Sequence, residues 1–327
     1  MEHPDTDPLG AGPGRLVVTG AGGQLGRALC DEFAPDDPLA FTRADWDVTQ
    51  PAPRALLGGP HQPSLVLHAA AWTNVDGAES DPVGAQEVNV LGTRNVVSVG
   101  APVVAYHPED NLLVLRFIEG RTFGNSDVQA PANIPRIAQA CRQLHTGPRF
   151  AGDFDMFVIQ GRYAAVTAEL GFRVPAGYDG LMPQVEAARR ALAVRAGPAV
   201  PCNNDLLAAN FIDDGSRIWL IDYEYAGNND ACFELGNIWG ECRLSTDALA
   251  DLVTAYYGRP LRNKIARAML LGMVGKYGWT LWGAIQAATS PIEFDFWSWA
   301  MERYEGAVAG LTGPGFPRLL DDVQRDD

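Results

Sequence analysis

The stretch "PCNNDLLAANFI", residues 201–212, decides how the chain is read. Four residues separate Asp205 from Asn210, and the run "IWLIDYEYAG" (218–227) then offers a strand ending in Asp222. Transfer of a phosphoryl group to a hydroxyl needs a carboxylate beside the acceptor and a divalent cation bridging the phosphates. Asp205, Asn210 and Asp222 fit those needs in order and spacing. Asp and Asn also cap turns beside strands, so the loop alone leaves a purely structural turn equally open.

The surroundings narrow the choice. "CNNDLLAANFI" (202–212), "LIDYEYAGNNDACFELGNIWGE" (220–241) and "KYGWTLWGAIQAATSPIEFDFWSWAMERY" (276–304) together resemble the choline/ethanolamine kinase family, a branch of the aminoglycoside-phosphotransferase-like kinases. The resemblance runs over about 101–310. It implies Asp205 as catalytic base, Asn210 and Asp222 as magnesium ligands, and ATP as phosphoryl donor. It also places Trp279, Trp282 and Trp299 around the cationic head of a choline- or ethanolamine-like substrate, with Glu224 and Glu241 as further candidates to offset its charge. The aromatic cluster has an independent argument. Trp279 and Trp282 are three apart on one helix face, with Trp297 and Trp299 on the next segment. A quaternary ammonium donates no hydrogen bonds and is held by aromatic faces. Helical Trp pairs also serve as plain core packing.

Two departures from the family stand out. Asn203 replaces the loop His; Asn also donates and accepts, but is shorter, so weakened activity is expected. More seriously, the amino-terminal lobe with its glycine-rich phosphate loop and basic strand residue is missing ahead of "FIEG" (117–120), near the adenine hinge. ATP affinity is therefore expected to be weak. Arg116 lies on the hinge strand and does not replace the absent basic residue. The chain has only two lysines, Lys264 and Lys276, both in its last quarter.

The vacated place holds something else. "RLVVTGAGGQLGRALCDEF" (15–33) reads as an apolar strand, a turn with Gly20, Gly23 and Gly26 three apart, and a helix. Such glycines let backbone N–H groups and a helix N-terminus meet a pyrophosphate. Further strands are expected in "PLAFTRAD" and "SLVLHAAAW", and a helix in "NVDGAESDPVGAQEVNVLGTRNVV". Over about 15–99 the order resembles dTDP-4-dehydrorhamnose reductases of the extended short-chain class. That resemblance implies NAD(P) contacts from Gly20, Gly23, Gly26, Asp47, Val48, Ala69, Ala70 and Thr73. The Tyr-x-x-x-Lys proton donor of that family is absent, since no Tyr has Lys four positions later. An orphaned half unit outweighs an active reductase, and a non-catalytic ligand-binding fusion is the third reading.

Bulk properties agree. At 327 residues, 47% hydrophobic and 20% charged, there is room for about two domains. No apolar run is long enough for a bilayer, and a net charge of −15 argues against a nucleic-acid surface. Five scattered Cys without paired spacing suggest reduced thiols and a cytoplasmic protein. The expected fold class is α/β plus mostly α: a disordered lead-in (1–14), a partial Rossmann-like parallel sheet unit (15–100), a kinase-like C-lobe (101–312) lacking most of the N-lobe, and a tail (313–327). A small-molecule partner is expected, with no nucleic acid and no membrane; oligomeric state stays open.

Overall fold

The computed structural model describes residues 15–19, 38–42, 63–68, 103–107 and 112–326, together with single residues 21, 27, 30 and 34. These cluster into two compact units with a boundary between Glu119 and Gly120.

In the N-terminal unit, β1 (Arg15–Thr19) lies between β2 (Leu39–Phe41) and β3 (Pro63–His68), and both pairings are parallel. Leu16 and Val18, two apart and so on one face, are buried. A hairpin follows, β4 (Val103–His107) antiparallel to β5 (Leu112–Leu115). The three glycines of the expected turn, the lead-in and the helix expected in 74–97 lie outside the described residues, while Arg27 and Cys30, in the helix expected after the turn, are helical.

The C-terminal unit is mostly helical. Strand β6 (Arg121–Thr122) leads into α1 (Asn125–Gln129) and α2 (Ile134–His145). In α2 the buried residues Ile134, Ile137, Ala138, Cys141 and Leu144 recur at helical spacing, and Pro135 sits in the first turn, where its missing N–H costs nothing. Next come α3 (Met156–Glu169), capped by the Asp155 carboxylate accepting from Phe157 N, a 3-10 turn at Tyr178–Leu181, and α4 (Met182–Val194). The polar loop is framed by two small antiparallel sheets. In one, β7 (Val200–Cys202) pairs with β10 (Gly227–Asn229); in the other, β8 (Phe211–Asp213) pairs with β6 and β9 (Ile218–Leu220). The β8–β9 hairpin turns at Asp214 and Gly215, and Gly215 has φ +88°.

Four helices complete the unit before a short last one. Asp230 caps α5 (Ala231–Glu241), and Ser245 caps α6 (Thr246–Tyr257). The 28-residue α7 (Arg262–Thr289) spans about 42 Å. Much of it is buried, packed against α3, α5 and α8 (Phe296–Leu311). Helices α5 and α7 cross at Gly236 and Gly272. A Cβ on Gly236 would sit 2.1 Å from the Ala268 carbonyl oxygen, and one on Gly272 would sit 2.6 Å from the Gly236 carbonyl oxygen. Only glycine permits this backbone contact. The stretch set apart as a tail carries α9 (Phe316–Asp322), with Phe316 and Val323 buried in the core. No helix among the described residues is long and apolar enough to cross a membrane.

Candidate functional site

The loop between β7 and β8 is built by buried polar groups. Glu234, in the first turn of α5 and fully buried, accepts the backbone N–H of Asn203 through Oε1 (2.9 Å) and that of Asn204 through Oε2 (2.7 Å). Its Oε1 also lies 3.4 Å from His145 Nε2, whose ring Nδ1 meets the Tyr256 hydroxyl at 2.7 Å. Asn203 ties the loop to the next strand end. Its Nδ2 donates to the carbonyls of Ile221 (3.2 Å) and Asp222 (2.7 Å), while its Oδ1 accepts from Asp205 N (3.0 Å). The Asn203 side chain therefore bridges the loop and the Asp222 segment.

Backbone conformation is unusual at two of these positions. Asn204 has φ 69° and Asp222 has φ 60°, in the left-handed region where Asn and Asp are tolerated best among residues with a Cβ. Asn204 is held there by Nδ2 donating to the Tyr225 carbonyl (2.9 Å) and by Oδ1 accepting from Asn229 Nδ2 (2.9 Å). Asn210, on a 3-10 turn, donates through Nδ2 to the Asp205 carbonyl (2.8 Å), which leaves its Oδ1 available as a ligand.

Asp205 sits in a field of other acidic groups, of which Glu241 is paired with Arg303. Burial pushes the Asp205 carboxyl up to about 7, and the charges of Glu241, Asp222, Glu224 and Glu234 add to the shift. Glu224 is also raised, by burial first and then by Asp222. Among the described residues, the carboxylates of Asp205, Asp222 and Glu224 accept no hydrogen bond and form no salt bridge. Asp222 and Glu224 are solvent-exposed. Unpaired carboxylates and an amide oxygen are the ligand types that a hard divalent cation takes.

Asp205 also borders a cavity of about 500 Å³. Its other walls include Tyr225 and Glu241, Trp279 and Trp282 from α7, Phe294 and Phe296, and Trp299 and Arg303 from α8. The rings meet edge to face: Tyr225 with Trp279 at 5.0 Å and 78°, Trp279 with Trp282 at 6.3 Å and 87°, and Trp282 with Trp299 at 5.3 Å and 63°. Gly283 allows α8 to come this close, since a Cβ there would lie 2.9 Å from the Trp299 ring. The indole N–H of Trp279 is buried without a hydrogen-bond partner among the described residues. Arg303 donates to Glu241 (2.5 Å), and its guanidinium carbon lies 3.9 Å from the Trp299 ring centroid.

The expected residues thus divide. Asp205, Trp279, Trp282 and Trp299 share the cavity, as does Glu241. Asn210, Asp222 and Glu224 are not among its walls; they belong to the loop and to the segment tied to it. Trp297 instead stacks under Arg173, 3.7 Å from guanidinium carbon to ring centroid. Tyr225, Phe294, Phe296 and Arg303 were missed. Of these only Tyr225, three residues past Asp222, carried a sequence signal. Gly20, Gly23, Gly26, Asp47, Val48, Ala69, Ala70 and Thr73 lie outside the described residues.

Comparison with known proteins yields two sets of likenesses. The model of the phosphotransferase enzyme family matches residues 85–269, and that of the RmlD substrate binding domain matches residues 14–106. A solved choline/ethanolamine kinase family protein from Mesorhizobium loti is 30% identical, with a TM-score of 0.68, covering 74% of this chain and 84% of that one. Ethanolamine kinase 1 of Mus musculus is 23% identical over 264 residues, 67% of this chain and 71% of the kinase. The dTDP-4-dehydrorhamnose reductase of Mycobacterium tuberculosis H37Rv is 43% identical over 95 residues, 28% of this chain. The chain spans only 30% of that reductase's length.

Proposed function

Because the chain belongs to the phosphotransferase enzyme family, with a choline/ethanolamine kinase family protein among its relatives, we propose that it transfers a phosphoryl group from ATP to the hydroxyl of a small amino alcohol of the choline or ethanolamine kind. The observation that carries this reading is a single cavity with Asp205 at one wall and three indoles at others. A substrate with a cationic head and a hydroxyl a short distance away needs both.

In this reading the aromatic walls hold the head group by cation–π attraction, worth about 2 kcal/mol when desolvated. A carboxylate oxygen of Asp205 accepts the hydroxyl proton as the substrate oxygen bonds to the terminal phosphorus and ADP leaves. Asn210 and Asp222 would hold Mg2+, which supplies charge neutralisation for the phosphates. The uncompensated carboxylates and the free Asn210 oxygen support that assignment. Asn203 and Glu234 act on the loop backbone, keeping Asp205 and the Asp222 segment in register.

For the rest of the chain, the parallel order β2-β1-β3 supports a partial dinucleotide-binding unit over 15–100, ahead of the compact unit that starts at Gly120. NAD(P) would meet Gly20, Gly23, Gly26, Asp47, Val48, Ala69, Ala70 and Thr73 there. The test of the main reading is ADP release by the full-length protein over choline, ethanolamine and aminoglycosides, with Asp205→Ala as control. Amino-alcohol-dependent release abolished by that substitution is expected; release only with aminoglycosides, or with none, would sink the reading.

A further inference from the structure

Arg303 is an unexpected wall for a cavity meant to receive a cation. It projects from α8 with its side chain 13% exposed, and Glu241 opposite is 10% exposed. The guanidinium both pairs with Glu241 and lies over the Trp299 ring. A second cation stands nearby. Lys276, half-buried on α7 with its Nζ 5.3 Å from the Trp239 ring centroid, feels the charges of both Glu241 and Arg303, and has no salt bridge among the described residues. Glu302, at 3.4 Å from Arg303 Nη1, is itself engaged by Arg243. The Glu241 carboxylate is therefore compensated from within the protein, and one face of Trp299 is already used by a resident cation.

The two side-chain carboxyls on the cavity wall are Asp205 and Glu241. If Asp205 serves the hydroxyl and Glu241 is satisfied by Arg303, no side-chain carboxylate is left to accept from a charged head group. That difference separates two classes of amino alcohol. A quaternary ammonium has no N–H and loses little when it leaves water for aromatic faces. A primary ammonium brings three donors, and each one buried without a partner costs about 1–3 kcal/mol. We propose that Arg303 is the specificity-determining residue of this cavity: by closing off Glu241, it selects quaternary over primary ammonium head groups. The inference rests on the small-cation reading above and deepens it, naming a trimethylammonium alcohol as the substrate class.

The test is binding, so that it does not depend on phosphoryl transfer. Full-length protein is titrated with choline and with ethanolamine, without nucleotide, and the tryptophan fluorescence is followed. Wild type is expected to bind choline about tenfold more tightly or better. Arg303→Met frees Glu241 and should narrow that ratio by about tenfold, chiefly by tightening ethanolamine. The double variant Glu241→Gln/Arg303→Met removes both charges and should restore the choline preference. Glu241→Gln alone, available if the first variant does not fold, should weaken both ligands and leave their ratio unchanged.

A ratio unmoved by Arg303→Met, or a selective loss of ethanolamine in Glu241→Gln, would overturn the inference. So would wild-type preference for ethanolamine, although the small-cation reading would then stand. Wild type that binds neither ligand would remove that reading itself.

Discussion

Replacing Glu234 by Gln tests how the loop is held. The carboxylate is fully buried and accepts two backbone N–H groups, from Asn203 at 2.9 Å and Asn204 at 2.7 Å. Glutamine keeps the shape but offers only one acceptor oxygen; its amide NH2 must face the other N–H, donor against donor. A hydrogen bond to a charged group contributes about 1.5–3 kcal/mol, and a buried donor left unpaired costs about 1–3 kcal/mol. The two overlap, because the lost bond and the orphaned N–H belong to one contact, so about 3 kcal/mol is expected. For a unit of roughly 200 residues that lowers Tm by about 6–12 °C. Urea unfolding followed by circular dichroism should show a lower midpoint with an unchanged slope. A loss below about 0.5 kcal/mol would refute the argument, because it would mean that the N–H facing the amide finds another acceptor when the carboxylate goes.

Asn203→Ala removes the donor to Ile221 and Asp222 and the acceptor for Asp205 N. It should cost about 1–3 kcal/mol in the same unfolding assay and lower turnover more than it raises KM for the alcohol. Turnover equal to wild type would contradict a bridging role. In metal-free protein, the Asp205 carboxyl near 7 makes stability pH-dependent. The folded state binds this proton more tightly than the unfolded one, so the contribution is intact below about 4 and lost as pH rises to about 7. Relative to Asp205→Asn, wild-type Tm should fall across pH 4–7 by the equivalent of about 1–3 kcal/mol; parallel profiles would contradict the shift. Mg-ATP should bind weakly to the full-length chain by calorimetry, because the sequence ahead of the hinge resembles a reductase unit and not the kinase family's phosphate loop and basic strand residue. Micromolar affinity would contradict that.

Much of the lobe was legible from local chemistry. The four-residue gap between Asp205 and Asn210, the Asp-Gly turn at 214–215 and the spacing of Trp279 and Trp282 each report geometry set within a few residues. Residues 297 and 299 were harder to separate, since both are Trp on one helix. Two positions on a helix differ by about 200°, so Trp299 faces the cavity while Trp297 meets Arg173. The Glu241–Arg303 pair was invisible for another reason. Its members are 62 positions apart, and they meet only because α5 and α8 both pack against α7. Phe294 precedes its helix in a polar segment, where nothing in the letters says that it borders a cavity.

The glycine crossing of α5 and α7 has a metric consequence. Glu234, two residues before Gly236, anchors the loop that carries Asp205, while Trp279 and Trp282 lie about two and about three turns beyond Gly272 in α7. With two backbones in direct contact, neither helix can slide to suit a longer or shorter ligand. The crossing works as a fixed gauge block: it sets the span between the proton-accepting oxygen and the indole faces. A preference for a new chain length would have to come from changed wall side chains, with the two glycines left as they are.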